Sequence, residues 1–378
     1  MYNHKTSYLL PLLVVIAILP MACSSDRAAS QQKNLTTVTS RATKAEIPAP
    51  APTSTPTMTP TSQPTATSTP TSVPSNTPTA TASSTLTPTP DPYAGLTIAN
   101  IATRTYGGGE ITVEEVLGVT ETFTRNLITY PSDGLTLYGF MNTPKGDGPF
   151  PVVLVMHGYV APEQFYTIAY TTRYADALAQ AGYLVIHPNY RNWPPSDDGP
   201  DSFRVAHAID AMNLAAIIRE QAGRPGPLEH VDSDFVGMLG HSMGGGITLR
   251  VITAGPEVQA AVLYGSMSGD EKQNFEKILI WSAGERGADE LATPPEALER
   301  ISPIFHLDRI TAAVSIHHGE NDGTTPLAWS RDLCERLQTL EKTVECFTYP
   351  DQPHTFQGEQ DLLFIRRVID FFDRQYQN

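Results

Sequence analysis

The stretch "FVGMLGHSMGGGITLR", residues 235–250, governs the reading of the whole chain. Phe235, Val236, Met238 and Leu239 make a short apolar run of the kind found in a strand buried on both faces. From Ile247 the pattern is helical. Between the two lie Gly240, His241, Ser242, Met243 and Gly244, a G-x-S-x-G pattern, with Gly245 and Gly246 behind it. A strand that turns sharply into a helix brings two backbones close and forces the residue at the turn into an unfavourable conformation. Glycines there remove the β-carbons that would collide, and the strained geometry holds the serine hydroxyl out where a base can reach it. The alternative is a glycine-rich turn whose serine has no task.

The flanking sequence repeats the same alternation. "FTRNLITYPSDGLTLYGFMNTP" alternates around Ser132-Asp133-Gly134 and reads as a β-hairpin, whereas residues 93–120 carry no decisive pattern. "VVLVMHG", "YLVIHP", "DFVGML", "VQAAVLYG", "AAVSIHHG" and "VECFTYP" read as buried strands. Helical segments separate most of them: "YTTRYADALAQAG", "SFRVAHAIDAMNLAAIIREQAG" with Asp201 or Ser202 as N-cap, "GGGITLRVITA", "PLAWSRDLCERLQTL" and a last helix over about 360–376. This order implies the α/β class: one mostly parallel, doubly wound sheet with an antiparallel hairpin at an edge. The segment 267–308, between two strands, has a helical pattern and is expected to form a small lid above the sheet.

A serine hydroxyl needs a base. In a sheet of this type the partners follow in the order Ser, acid, His. Of ten histidines only His354, in "YPDQPHTF", lies beyond residue 322. In "SIHHGENDGTTP" Asp322 follows a buried strand; Glu320 and Asp351 are the competing carboxylates, and Asp322 is preferred for its place in the loop. The oxyanion donors expected are the backbone N–H groups of Met243 and Tyr159. His157 reads as a loop-shaping residue, and His241, His317 and His318 as packing or supporting residues. Trp193, the "PPSDDGP" loop and Trp281 are candidate pocket walls, with ordinary packing as the alternative.

The first 92 residues have another character. "MYNHKTSYLLPLLVVIAILPMAC" pairs Lys5 with a short apolar run and reads as a signal peptide over 1–23. Its end, Pro20-Met21-Ala22-Cys23, resembles a bacterial lipoprotein signal, in which the cysteine becomes lipidated. Residues 24–92, rich in Pro, Thr and Ser, have nothing to bury and are expected to be a disordered linker leading to one domain over 93–378. Such a protein would be exported and would touch a membrane only through Cys23. Five basic and three acidic residues leave 1–92 at +2 and the remainder at −17, out of a net −15. So acidic a domain argues against nucleic acid as partner. Cys334 and Cys346, twelve positions apart, are a candidate disulfide in an oxidising compartment. No C-x-x-C or H-E-x-x-H pattern signals a metal or redox site.

"HGY", "GHSMGGG", "SPIFHLDRI…HHGENDGTTP" and "YPDQPHTF" resemble, in that order, the catalytic domain of the prolyl oligopeptidase family. They are also similar to dienelactone-hydrolase-like and feruloyl-type esterases of the α/β-hydrolase superfamily. The resemblance spans about 125–378. It implies an α/β-hydrolase fold, a catalytic triad of Ser242, Asp322 and His354, and no metal or cofactor. The implied substrate is a small ester or a short peptide. Two features depart from the oligopeptidase pattern: the stretch before residue 125 is too short for a β-propeller, and His157 stands where a tyrosine hydroxyl would serve the oxyanion. An esterase is therefore somewhat favoured over a peptidase, and a non-catalytic binding protein on the same fold is the alternative of a different class.

Overall fold

A computed structural model of the chain describes residues 90–168 and 170–377. The signal peptide, Cys23 and nearly all of the linker lie outside the described residues. Among those described, nine strands form one sheet in the order β1-β2-β3-β5-β4-β6-β7-β8-β9. They are β1 (Thr112–Val119), β2 (Phe123–Ser132), β3 (Leu135–Pro144), β4 (Phe150–Met156), β5 (Leu184–Pro188), β6 (Val231–His241), β7 (Ala260–Tyr264), β8 (Ala313–Gly319) and β9 (Val344–Tyr349). The α-helices are α1 (Ile98–Ile101), α2 (Thr172–Gln180), α3 (Val205–Gln221), α4 (Met243–Ala254), α5 (Glu271–Trp281), α6 (Ala288–Leu291), α7 (Pro295–Ile301), α8 (Leu327–Thr339) and α9 (Gly358–Tyr376).

The central strands are apolar without interruption because both of their faces are covered. Val152, Leu154 and Met156 of β4 enter one core with residues of α3 and α4, while Val153 and Val155 enter the other with α2 and α9. The same two-residue period divides Leu184 and Ile186 from Val185, and Ala261 and Leu263 from Val262 and Tyr264. From β5 through β9 neighbouring strands run parallel. The hairpin turns at Asp133 and Gly134, both at positive φ, as a two-residue hairpin turn with the right-handed twist requires.

The hairpin edge is one strand wider than the sequence suggests. β1 pairs antiparallel with β2, and two register shifts, between Val113 and Glu115 and between Val116 and Gly118, break its alternation. Its valines 113, 116 and 119 are exposed, so no buried face wrote a period into the sequence. The start of α3 also differs from expectation. Helical residues begin at Val205, after Phe203 and Arg204 at φ 55° and 57°, although Asp201 Oδ1 still accepts the Ala206 N–H at 3.2 Å. The strained pair, not a capping side chain, sets the helix start.

The 267–308 insertion is helical, holding α5 to α7. It is tied down by a buried ion cluster. Arg250 of α4 and Arg204 both pair with Glu271 at the first turn of α5. Arg250 also donates to the Ile301 carbonyl at 2.6 Å, and the Ser302 hydroxyl accepts the Glu271 N–H at 3.0 Å. A disulfide joins Cys334 of α8 to Cys346 of β9.

Candidate active site

The parallel strands bring their carboxyl ends into one line. Met156 is in register with Gly240, His241 with Tyr264, and Tyr264 with His317. The loops that follow these strands therefore meet above one edge of the sheet, the place where open α/β sheets hold their ligands.

Ser242 sits at the turn from β6 to α4 with φ 57° and ψ −117°, a backbone conformation that L-residues avoid. Its surroundings over-determine it. The Ser242 N–H donates to the Tyr264 carbonyl at 2.9 Å, and its own carbonyl accepts the N–H groups of Gly245 at 3.0 Å and Met267 at 3.0 Å. The flanking glycines are required sterically. A β-carbon on Gly240 would lie 2.3 Å from the Gly244 carbonyl oxygen, and one on Gly244 would lie 2.2 Å from that of Met156.

Asp322, in the loop after β8, has a side chain closed off from solvent, and its Oδ2 lies 2.7 Å from Nδ1 of His354. Its Oδ1 accepts the N–H groups of Thr324 at 2.8 Å and Thr325 at 2.9 Å, and its Oδ2 accepts the Thr325 hydroxyl at 2.8 Å. Burial alone would raise this carboxyl; hydrogen bonds from His318 and His354, and from the Thr325 N–H, hold it well below the usual carboxylate range. His354 thus faces a carboxylate that stays charged, and its ring lies 4.6 Å from that of His241, the residue before Ser242. The competing carboxylates are elsewhere: Glu320 accepts the Thr348 hydroxyl on the surface, and Asp351 is exposed in a turn.

The remaining histidines take supporting positions. His157 is fully buried, with Nδ1 2.7 Å from the Gly158 carbonyl, and burial lowers it to about 4. His241 is likewise lowered by burial, to about 3. His317 bonds Ser315 and Tyr349 inside the sheet. His318 contacts the triad carboxylate candidate directly, with Nε2 3.3 Å from Asp322 Oδ2 and Nδ1 2.7 Å from the Ser330 hydroxyl.

A pocket of about 230 Å³ opens beside Ser242 and Met243. Trp193, Phe203, Met267 and Phe275 line it, and Tyr159, Trp281 and Arg286 stand at its more exposed side. Arg286 donates to the Tyr159 hydroxyl at 3.1 Å and lies over its ring at 5.1 Å. Both tryptophans singled out from the sequence therefore reach the pocket. The "PPSDDGP" loop does not; Ser196 and Asp197 instead accept the N–H groups of Tyr138 and Thr136 on β3. Sequence reasoning missed Phe203, Arg204, Arg286 and Tyr170, whose surroundings depend on distant segments. Among the described residues no cluster of His, Cys, Asp and Glu is arranged to hold a metal ion.

A sheet of this order, with a strained serine after β6 and an Asp–His pair after β8 and β9, defines an α/β-hydrolase. The chain belongs to the dienelactone hydrolase family, whose model matches residues 137–368. It is similar to the uncharacterized peptidase YtmA of Bacillus subtilis (strain 168), 24% identical over 253 residues that cover 65% of this chain and 91% of that protein. Among solved structures it resembles the acylaminoacyl peptidase of Pyrococcus horikoshii, with TM-score 0.54, 22% identity and 68% of this chain covered. This chain spans only 42% of that protein. It also resembles a Pyrococcus furiosus esterase, with TM-score 0.53 and 17% identity, covering 71% of this chain and 98% of that one. At these identities the solved structures speak for the fold.

Proposed function

We propose that the protein is a serine hydrolase acting on carboxylic esters through Ser242, His354 and Asp322. His354 Nδ1 is engaged by Asp322, which leaves Nε2 to take the Ser242 proton as Oγ attacks the acyl carbonyl. Charge develops on the carbonyl oxygen, where the N–H groups of Met243 and Tyr159 are the proposed donors. Collapse breaks the bond to the alcohol, which leaves with the proton from His354. Water, deprotonated by the same imidazole, then releases the acid and restores Ser242. The observations that carry the reading are the 2.7 Å Asp322–His354 pair in the loops after β8 and β9 and the serine held at φ 57° after β6.

A pocket of about 230 Å³ with largely apolar and aromatic walls suits a compact acyl group, and an ester asks less help of the leaving group than an amide does. The second reading, a peptidase on short peptides, is favoured by the name of the Bacillus subtilis relative. The leader ending at Cys23 and the Pro/Thr/Ser linker support export and lipid anchoring at a cell surface. The test is turnover of p-nitrophenyl acyl esters against aminoacyl p-nitroanilides, with Ser242→Ala alongside. Ester turnover lost in the variant, with the anilides untouched, is the expected result. Serine-dependent anilide cleavage would overturn the preference for esters, and a folded protein inert to both would favour a binding protein.

A further inference from the structure

Three segments remote in sequence, the β4–α2 connection, the end of β6 and the loop after β9, meet at two side chains the mechanism leaves without a role. The Gly158 N–H, in the loop after β4, donates to the Tyr170 hydroxyl at 2.9 Å. That hydroxyl lies 2.8 Å from Nδ1 of His241, at the end of β6. Nε2 of the same imidazole lies 3.0 Å from the carbonyl oxygen of His354, after β9. The direction of the chain is forced. The His354 carbonyl can only accept, so His241 carries its proton on Nε2, and the neutral ring then accepts the Tyr170 O–H at Nδ1. Only a neutral imidazole can do both, and His241 is 1% exposed, where the charged form is disfavoured. The loop held at one end is packed directly on the nucleophile: a β-carbon on Gly158 would lie 2.3 Å from the Tyr170 hydroxyl and 3.0 Å from Cβ of Ser242.

We propose that Tyr170 and His241 are positioning residues, a hydrogen-bonded strut that fixes the 157–159 loop and the His354 loop at a set distance on either side of Ser242. Its catalytic consequence rests on the serine-hydrolase reading, because Tyr159 supplies a proposed oxyanion donor and His354 the base. The strut itself is a structural statement and is testable without turnover.

The test uses three single variants of the full chain and one double variant. Tyr170→Phe removes the hydroxyl that joins Gly158 to His241. His241→Gln sets an amide donor near the Nε2 position but leaves Tyr170 without its acceptor. His241→Asn sets an acceptor near the Nδ1 position but leaves the His354 carbonyl without its donor. Amide hydrogen exchange, read by mass spectrometry, reports each loop separately. Tyr170→Phe and His241→Gln are expected to lose protection over 157–160 alone, and His241→Asn over 352–356 alone. The Tyr170→Phe/His241→Gln double variant should be no worse over 157–160 than either single one. In the ester assay Tyr170→Phe should lower kcat about 10- to 100-fold with KM within about twofold, since loop position matters only once charge develops. Unchanged protection over 157–160 in Tyr170→Phe, or a loss spread evenly over the domain, would overturn the proposal. A folded wild-type protein inert to both esters and anilides would refute the serine-hydrolase reading, while the exchange pattern would still judge the strut.

Discussion

Substituting Gly244 by alanine tests the turn on which the site depends. The added β-carbon would meet three backbone atoms: the Met156 carbonyl oxygen at 2.2 Å, the Met156 carbonyl carbon at 2.6 Å and the His157 carbonyl oxygen at 2.7 Å. No flexible side chain can give way. Restoring ordinary contact requires α4 and β4 to part by roughly 1 Å. Overpacking of this kind costs about 1–3 kcal/mol, here toward the upper end, and the better helix propensity of alanine returns at most about 1 kcal/mol. A net loss of about 2 kcal/mol would lower Tm by about 3 °C in a domain of this size. Catalysis should suffer more than stability, because the strand pushed away leads directly to Gly158 and Tyr159. A displacement of roughly 1 Å there is expected to lower kcat about 100-fold. Gly246→Ala is the control within the same helix: its β-carbon would meet only Met267 Cβ, at 3.2 Å, and stability should change by less than about 1 kcal/mol. Differential scanning calorimetry and ester turnover on both variants give the answer. A Gly244→Ala protein as stable and as active as wild type would refute the tight strand–helix contact and the reason given for the glycine.

Two further predictions concern buried charge. Glu271→Ala would leave Arg250, 2% exposed, without its carboxylate, and should cost about 3–5 kcal/mol by denaturant unfolding; a loss under about 1 kcal/mol would mean the cluster does not anchor the insertion. Burial lowers His157 to about 4 and His241 and His317 to about 3, so below pH 6.5 the unfolded chain binds protons that the folded one refuses. Stability should therefore fall as pH drops from about 6.5 to 4, by about 1.4 kcal/mol per pH unit for each of these histidines. The depressed Asp322 adds stability that is present above its ordinary value near 3.8 and lost as pH falls further. A urea midpoint that stays flat between pH 6.5 and 4 would contradict this.

The readable parts of the sequence were those that strong local constraints had written. Runs such as "VVLVMHG" show a strand covered on both faces, and Gly240 and Gly244 stand where a β-carbon cannot. Asp322 and His354 were singled out by chain order and loop position, and the two side chains lie 2.7 Å apart. β1 left no such trace, because its valines face solvent and two register shifts erase its period. The N-cap at Asp201 or Ser202 failed for a related reason. Phe203 and Arg204 adopt positive φ, with Arg204 meeting Glu271 and lying over Phe275 of α5, and no local rule anticipates that. Tyr170 was invisible for the same cause: its partners, Gly158 and His241, are brought to it only by the folded sheet.

Everything proposed for this site depends on Ser242 being a nucleophile activated by His354 under Asp322. Reaction of the purified protein with a fluorophosphonate, followed by peptide mass spectrometry, tests it most directly. A single adduct on Ser242 is expected, formed at a rate that Asp322→Asn lowers by about 10³-fold or more. A folded protein that takes up no probe, or takes it up at another residue with Ser242 unmodified, would contradict it.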